Sequence, residues 1–310
     1  EKRIKLEECE KLNRPFVQKR IKLYMGKIHP EIELEKRQIL NECEKHTNDY
    51  VKERIKEFQP LTLKTKNHED LYEQLQWRTD LEQCEENIKN AYLTNTLSVE
   101  NATLISNKFD IPLLYISTAG IFDGKKDTYD DWDTPNPLGV YARTKYLAEL
   151  FVQRHKKNHL ICRPGWMMGG GPKKDKKFVM KILKQIKEGN NKIYVVNDKF
   201  GTPTYTVDFA RNVKKIFEKE YWGLYNMVCQ GLTSRFEVAK TLIKLINYES
   251  KIDIIEVNSD YFSDKFYAPR PLSERLLNKK LELRSLDFMR NWEIALKEYL
   301  EDYFKEYIEF

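Results

Sequence analysis

The chain reads as an α/β protein on a parallel sheet, preceded by an α-helical N-terminal segment. Glycine distribution, short apolar runs and their spacing by helical stretches point to this. Of twelve glycines only Gly26 precedes residue 120. A stretch so poor in glycine and so rich in Lys, Glu, Leu and Ile favours helix. Beyond it, apolar runs of strand length alternate with longer segments of helical spacing, the signature of a parallel sheet with crossover helices.

The first 60 residues carry an internal echo. Glu1-Lys2-Arg3 aligns with Glu35-Lys36-Arg37, and Glu8-Cys9-Glu10-Lys11 with Glu42-Cys43-Glu44-Lys45, an offset of 34 residues. That period suits a helix-turn-helix repeat. The alternative is that two Lys/Glu-rich helices resemble each other by composition. Residues 61–76 read as a linker and residues 77–310 as the α/β domain.

Within that domain, residues 87–109 have helical spacing, with Ala91, Leu97, Ala102 and Ile105 apolar. Residues 111–116 form a short apolar run of the kind seen in buried parallel strands. A helix over 141–154 follows, then the apolar run Leu160-Ile161-Cys162. Residues 193–196 and 224–228 are further strand candidates. Near the C-terminus Trp292, Ala295, Leu296, Tyr299, Leu300 and Tyr303 recur at helical spacing, predicting an amphipathic closing helix.

Bulk properties narrow the function classes. The net charge of +6 arises from lysines interleaved with glutamates, which describes a solvated surface and argues against nucleic-acid binding. The five cysteines are scattered, without metal-ligand spacing, so no metal site is expected, and isolated thiols fit a cytoplasmic, reducing compartment. No apolar run approaches membrane-spanning length, and no membrane partner is expected.

Chemistry concentrates at Tyr141 and Lys145. Spaced i, i+4, they share one face of a helix. An ammonium beside a phenol favours phenolate, and such a tyrosine can exchange a proton with a carbonyl oxygen as hydride moves at carbon. Ser117 and Thr118 follow directly on the 111–116 strand, at the carboxyl end where α/β sheets place ligand sites. Alone, Tyr-x-x-x-Lys is a short motif that a chain with 18 tyrosines meets by chance.

Context changes this. Tyr115-Ile116-Ser117-Thr118-Ala119-Gly120-Ile121-Phe122-Asp123-Gly124 precedes Pro135-Asn136-Pro137-Leu138-Gly139-Val140-Tyr141-Ala142-Arg143-Thr144-Lys145. Arg163-Pro164-Gly165-Trp166-Met167-Met168-Gly169, Phe200-Gly201-Thr202-Pro203-Thr204-Tyr205, Gly223-Leu224-Tyr225-Asn226 and Arg270-Pro271-Leu272-Ser273 follow in order. Over about residues 77–300 this resembles the extended short-chain dehydrogenase/reductases, most closely the dTDP-4-dehydrorhamnose reductase family. The resemblance implies an incomplete Rossmann-like sheet with a small substrate-binding subdomain. It implies reduction of a 4-keto-6-deoxy sugar nucleotide with NADPH or NADH. Tyr141 would be the general acid/base, Lys145 its partner and a contact to the nicotinamide ribose. Thr118 would orient the carbonyl, with Ser117 as second choice. Arg163, Pro164 and Ser117 would lie by the cofactor; Trp166, Thr202 and Pro203 would shape the substrate side.

Two departures stand out. The family reads Ser-Thr-Asp-Tyr where this chain has Ser117-Thr118-Ala119-Gly120. It also opens with a strand, a GxxGxxG turn and a helix that bind the cofactor pyrophosphate, and residues 1–76 contain no such turn. Without that half, a strand edge and an apolar sheet face need cover from the helical segment, a homo-oligomer or a partner chain. The alternatives to an enzyme are a non-catalytic sugar-nucleotide-binding or regulatory protein, and a scaffold whose repeats recruit a partner.

Overall fold

In the computed structural model the described residues are 80–308. They belong to one compact unit. The expected N-terminal helices, 34-residue repeat and linker lie outside the described residues.

The described chain opens with α1 (Leu81–Glu86), capped by the Asp80 carboxylate, which accepts from Gln83 N at 3.1 Å. Next comes α2 (Ile88–Tyr92), capped by Asn87. A π-helical turn at Leu93–Leu97 separates it from α3 (Ser98–Lys108). The single helix expected over 87–109 is therefore broken. The wide turn carries Thr94, Asn95 and Thr96, whose side chains seek other partners: Asn95 Nδ2 donates to Thr144 Oγ1 at 3.1 Å and Thr96 Oγ1 to Thr144 O at 2.9 Å. Such turns occur frequently at functional sites.

Strand β1 (Leu113–Ile116) leads to α4 (Val140–His155), β2 (His159–Arg163) and β3 (Trp166–Met168). The short α5 (Gly171–Lys174), then α6 (Phe178–Lys187), β4 (Lys192–Val196), β5 (Phe200–Gly201) and β6 (Pro203–Tyr205) follow. After α7 (Thr206–Glu218) come β7 (Gly223–Asn226), β8 (Thr233–Ser234), α8 (Arg235–Leu245), β9 (Asp253–Val257) and β10 (Ser273–Glu274). Helices α9 (Lys279–Leu283), α10 (Trp292–Tyr303) and α11 (Lys305–Ile308) close the chain. The strand candidates at 111–116, 160–162, 193–196 and 224–228 and the helix expected over 141–154 are each present, with ends moved by a few residues.

The central sheet runs β1-β2-β7, all parallel, with Tyr115 opposite Ile161 and Ile161 opposite Leu224. Those three side chains pack on Ala148 and Val152 of α4, so alternate residues of three strands anchor one helix. The other face is unevenly covered. Leu160 and Cys162 are fully buried in the main core, whereas Leu114 and Ile116 beside them on β1 are 36% and 41% exposed. Among the described residues β1 is thus an edge strand with an apolar outward face, as expected for an incomplete Rossmann-like sheet. The remaining strands form the smaller sheets β3-β6, β4-β9 and β10-β5-β8. The closing helix α10 buries Trp292, Ala295, Leu296, Tyr299 and Leu300 as its periodicity predicts; Tyr303 stays 41% exposed.

Candidate active site

Helix α4 carries Tyr141 and Lys145 near its start. Its cap, Gly139, has no side chain to satisfy the first free N–H groups. Instead the Glu85 carboxylate reaches across from α1 and accepts from Val140 N at 2.6 Å, putting negative charge where the helix dipole favours it. A Cβ at Gly139 would fall 2.7 Å from that carboxylate. The same short helix ties down the far wall. Glu82 pairs with Arg270 at 2.7 Å and Glu86 accepts from Tyr267.

Where β1 ends, the backbone stays extended at Thr118 and then enters a 3-10 turn. Thr118 Oγ1 accepts from Gly120 N at 3.2 Å, and the Thr118 hydroxyl lies close enough to the Tyr141 phenol to pull its pKa down. The structure therefore brings Thr118 and Tyr141 together. Burial pushes the Tyr141 phenol up to about 12, a change the Thr118 hydrogen bond only partly offsets and the nearby Glu274 charge adds to. This is opposite to the lowering expected from Lys145. The lysine ammonium instead donates to Ile116 O at 2.6 Å and lies 4.4 Å over the Tyr115 ring. At neutral pH the phenol in this structure is an acid with its proton in place.

Arg163 and Ser117 fare differently. Arg163 is 3% exposed and gives Glu149 a bidentate pair, Nε at 3.0 Å and Nη2 at 2.7 Å. Its guanidinium also faces the Phe122 ring at 5.4 Å. This pair ties α4 to β2, while Arg163 Nη1 is buried without a hydrogen-bond partner among the described residues. Ser117 is 4% exposed, and its hydroxyl has no hydrogen-bond partner among the described residues. Pro164 is buried and its carbonyl accepts from Ala119 N at 2.9 Å, holding the Thr118 turn in place.

On the substrate side Trp166 is half-buried, its Nε1 donating to Glu274 Oε2 at 2.8 Å. The indole lies flat on the β5 backbone, where a Cβ at Gly201 would fall 2.3 Å from its ring. Thr202 is 1% exposed and its Oγ1 accepts from Leu276 N at 3.1 Å. Pro203 is buried opposite Trp166 in the β3-β6 pair. Both residues are buried.

The sequence reading missed Glu274, Arg235 and Glu85. Glu274 Oε1 lies 3.2 Å from where a Cβ at Gly120 would stand, so it occupies volume a larger residue there would need. Arg235 at the start of α8 lays its guanidinium 3.8 Å over the Trp166 ring. Glu274 directly follows the Arg270–Ser273 block, a signal that could have found it. Nothing local in sequence marks Arg235 or Glu85.

A parallel sheet with a hydroxyl at one strand end, facing a tyrosine followed by lysine one helical turn later, defines an α/β protein of the short-chain dehydrogenase/reductase class. The comparisons with known proteins agree. Residues 73–305 match the family described as RmlD substrate binding domain. The spore coat polysaccharide biosynthesis protein SpsK of Bacillus subtilis is 31% identical over 225 residues, 72% of this chain and 76% of that protein. Among solved structures, dTDP-4-dehydrorhamnose reductase from Yersinia enterocolitica superposes with a TM-score of 0.67 at 34% identity, covering 72% of this chain and 77% of that one. The Bacillus anthracis dTDP-4-dehydrorhamnose reductase in complex with NADP gives a TM-score of 0.67 at 28% identity over the same shares. The chain belongs to the RmlD substrate-binding-domain family of extended short-chain oxidoreductases.

Proposed function

We propose that the protein reduces the keto group of a 4-keto-6-deoxy sugar nucleotide, using NADPH or NADH, with Tyr141 delivering the proton. The observation that carries this reading is the placement of the Thr118 hydroxyl beside the Tyr141 phenol at the carboxyl end of β1, with Lys145 one helical turn further on. Names borne by the relatives support the substrate, and the NADP in the Bacillus anthracis enzyme supports the cofactor.

The nicotinamide cofactor supplies hydride when bound. Among the described residues the fit to its nicotinamide end rests on Ser117, whose buried hydroxyl lacks a partner, and on Lys145 at the Ile116 carbonyl. A substrate carbonyl oxygen entering between Thr118 and Tyr141 would accept from both hydroxyls. Two donors then converge where negative charge develops. The Tyr141 proton moves to that oxygen from a phenol held neutral by burial. The buried Arg163–Glu149 pair keeps α4 in register while this happens.

NADPH oxidation followed by absorbance, with a dTDP-4-keto-6-deoxyhexose, tests the reading. Tyr141→Phe should lower turnover by about two to four orders of magnitude, the usual worth of a positioned acid, while leaving cofactor affinity near that of the parent. A Tyr141→Phe protein with undiminished turnover would remove Tyr141 from the mechanism. A parent chain that oxidises neither NADPH nor NADH with this substrate would sink the activity itself.

A further inference from the structure

Glu274 stands in the candidate active site and has no part in the proton transfer described above. It closes strand β10 opposite Gly201 of β5, the glycine on which the Trp166 indole lies. One carboxylate oxygen, Oε2, accepts from Trp166 Nε1 at 2.8 Å. The other, Oε1, accepts no hydrogen bond among the described residues. It lies 3.2 Å from the point where a Cβ at Gly120 would stand, and Thr118 Oγ1 lies 3.5 Å from that same point. The two oxygens therefore flank the gap that Gly120 leaves, close enough for substituents of a single sugar ring to reach both. Tyr141 is near enough to feel the Glu274 charge.

Around this gap exposure is selective. Thr118, Gly120, Tyr141, Trp166 and Glu274 are each partly exposed, whereas Ser117, Ala119 and Thr202 beside them are buried. The Arg235 and Lys199 charges act on Glu274 from a distance, and neither forms an ion pair with it among the described residues. A half-buried carboxylate with one oxygen on an indole keeps acceptor capacity on the other. Glycine at 120 is what leaves room for it. The chain departs from its family at this position, with glycine where the pattern reads tyrosine, and the carboxylate stands beside the volume so freed.

We propose that Glu274 determines which sugar the site accepts, its Oε1 taking a hydrogen bond from a ring hydroxyl while the keto oxygen rests between Thr118 and Tyr141. This rests on the reductase reading above. The hydroxyl sits on the carbon next to the keto carbon or on the one after it. In a 4-keto-6-deoxy sugar these are the hydroxyls at C3 and C2. The substrate class narrows to keto sugar nucleotides that keep that hydroxyl. A sugar deoxygenated there leaves Oε1 out of water and unpaired, and a site built to bond a hydroxyl discriminates strongly against such an analogue.

NADPH oxidation by the full chain with a dTDP-4-keto-6-deoxyhexose and with its 3-deoxy and 2-deoxy analogues tests the assignment. In the parent, at least one analogue should lose tenfold or more in kcat/KM. Glu274→Gln keeps an oxygen for the Trp166 indole but loses the second carboxylate oxygen, and should shrink that ratio severalfold. Glu274→Ala should abolish the ratio. Were Glu274 only a brace for Trp166, Glu274→Gln would match the parent and Glu274→Ala would lower all three substrates equally. That result would overturn the proposal, as would a parent that uses both analogues as well as the hydroxylated sugar. Equal thermal midpoints in the three proteins guard against misfolding. Calorimetry with the dTDP-6-deoxyhexose product and its deoxy analogues reads the same preference without turnover. A chain that shows the Glu274-dependent preference in binding yet oxidises no NADPH defeats only the reductase reading. One that oxidises NADPH but is indifferent to the deoxygenation defeats only the role of Glu274.

Discussion

Arg163 and Arg235 make opposite use of the same side chain. Arg163, at the end of β2, is 3% exposed and bound at two points to a Glu149 that is fully buried. Arg235, at the start of α8, is half-buried and stacked on indole, with the Glu274 charge nearby. Removing two charges from water is costly and is tolerated only with near-ideal partners. Arg163 and Glu149 meet that condition and hold an element in place. Arg235 lies over the Trp166 and Phe178 rings, with burial lowering it and the Glu274 charge partly offsetting that. The arginine of the Arg163-Pro164-Gly165 block is thus held in a buried pair, and Arg235 is held by aromatic rings.

The sharpest way to break this contrast is to remove one partner of the buried pair. Glu149→Ala strands the Arg163 guanidinium against Phe122, and the loss should be about 3–5 kcal/mol, the cost of an uncompensated buried charge. Urea unfolding reads it directly. A loss below about 1 kcal/mol would mean that water reaches Arg163 and that the pair resembles a surface bridge. Arg235→Gln, by contrast, should leave stability within about 0.5 kcal/mol, as for substitutions away from core features. If both variants unfold alike, the two arginines do not differ in kind.

Much of this could be read before the structure. The β1 run, the Thr118 turn, the Tyr141 helix and the amphipathic α10 were each legible because local periodicity and strand-end position carry the information. The pairing of Arg163 was not, since Glu149 lies 14 residues away and only the packing of α4 on β2 joins them. The same holds for Glu85, whose capping of α4 spans 55 residues. The phenol shift ran against expectation because a Tyr–Lys spacing specifies a shared face and says nothing of burial. The break at Leu93–Leu97 escaped notice because polar Thr94, Asn95 and Thr96 fit a helix surface until Thr144 is brought beside them.

A smaller effect sharpens the contrast through pH. Burial lowers Lys177, Lys181 and Lys199, with Asp175 offsetting part of it at Lys177 and Asp198 and Glu274 at Lys199, and Arg235 is lowered to about 10, again chiefly by burial. Below these lowered values the cluster is fully charged, so affinity for an anionic ligand such as dTDP should be at its plateau near neutrality. As pH rises toward the ordinary lysine value the cluster loses protons early, and affinity should decline. The terminal phosphate, with a second ionisation near pH 6, is already charged throughout. Stability responds with the opposite sign. In this window the unfolded lysines hold more protons than the folded ones, so their penalty on folding lessens as pH rises. Arg235→Gln removes one repelling charge, which should let the remaining lysines relax upward and shift the decline in affinity to higher pH. The plot of log Kd against pH for the two proteins checks this. Parallel curves with the same inflection would show that Arg235 does not share a field with these lysines.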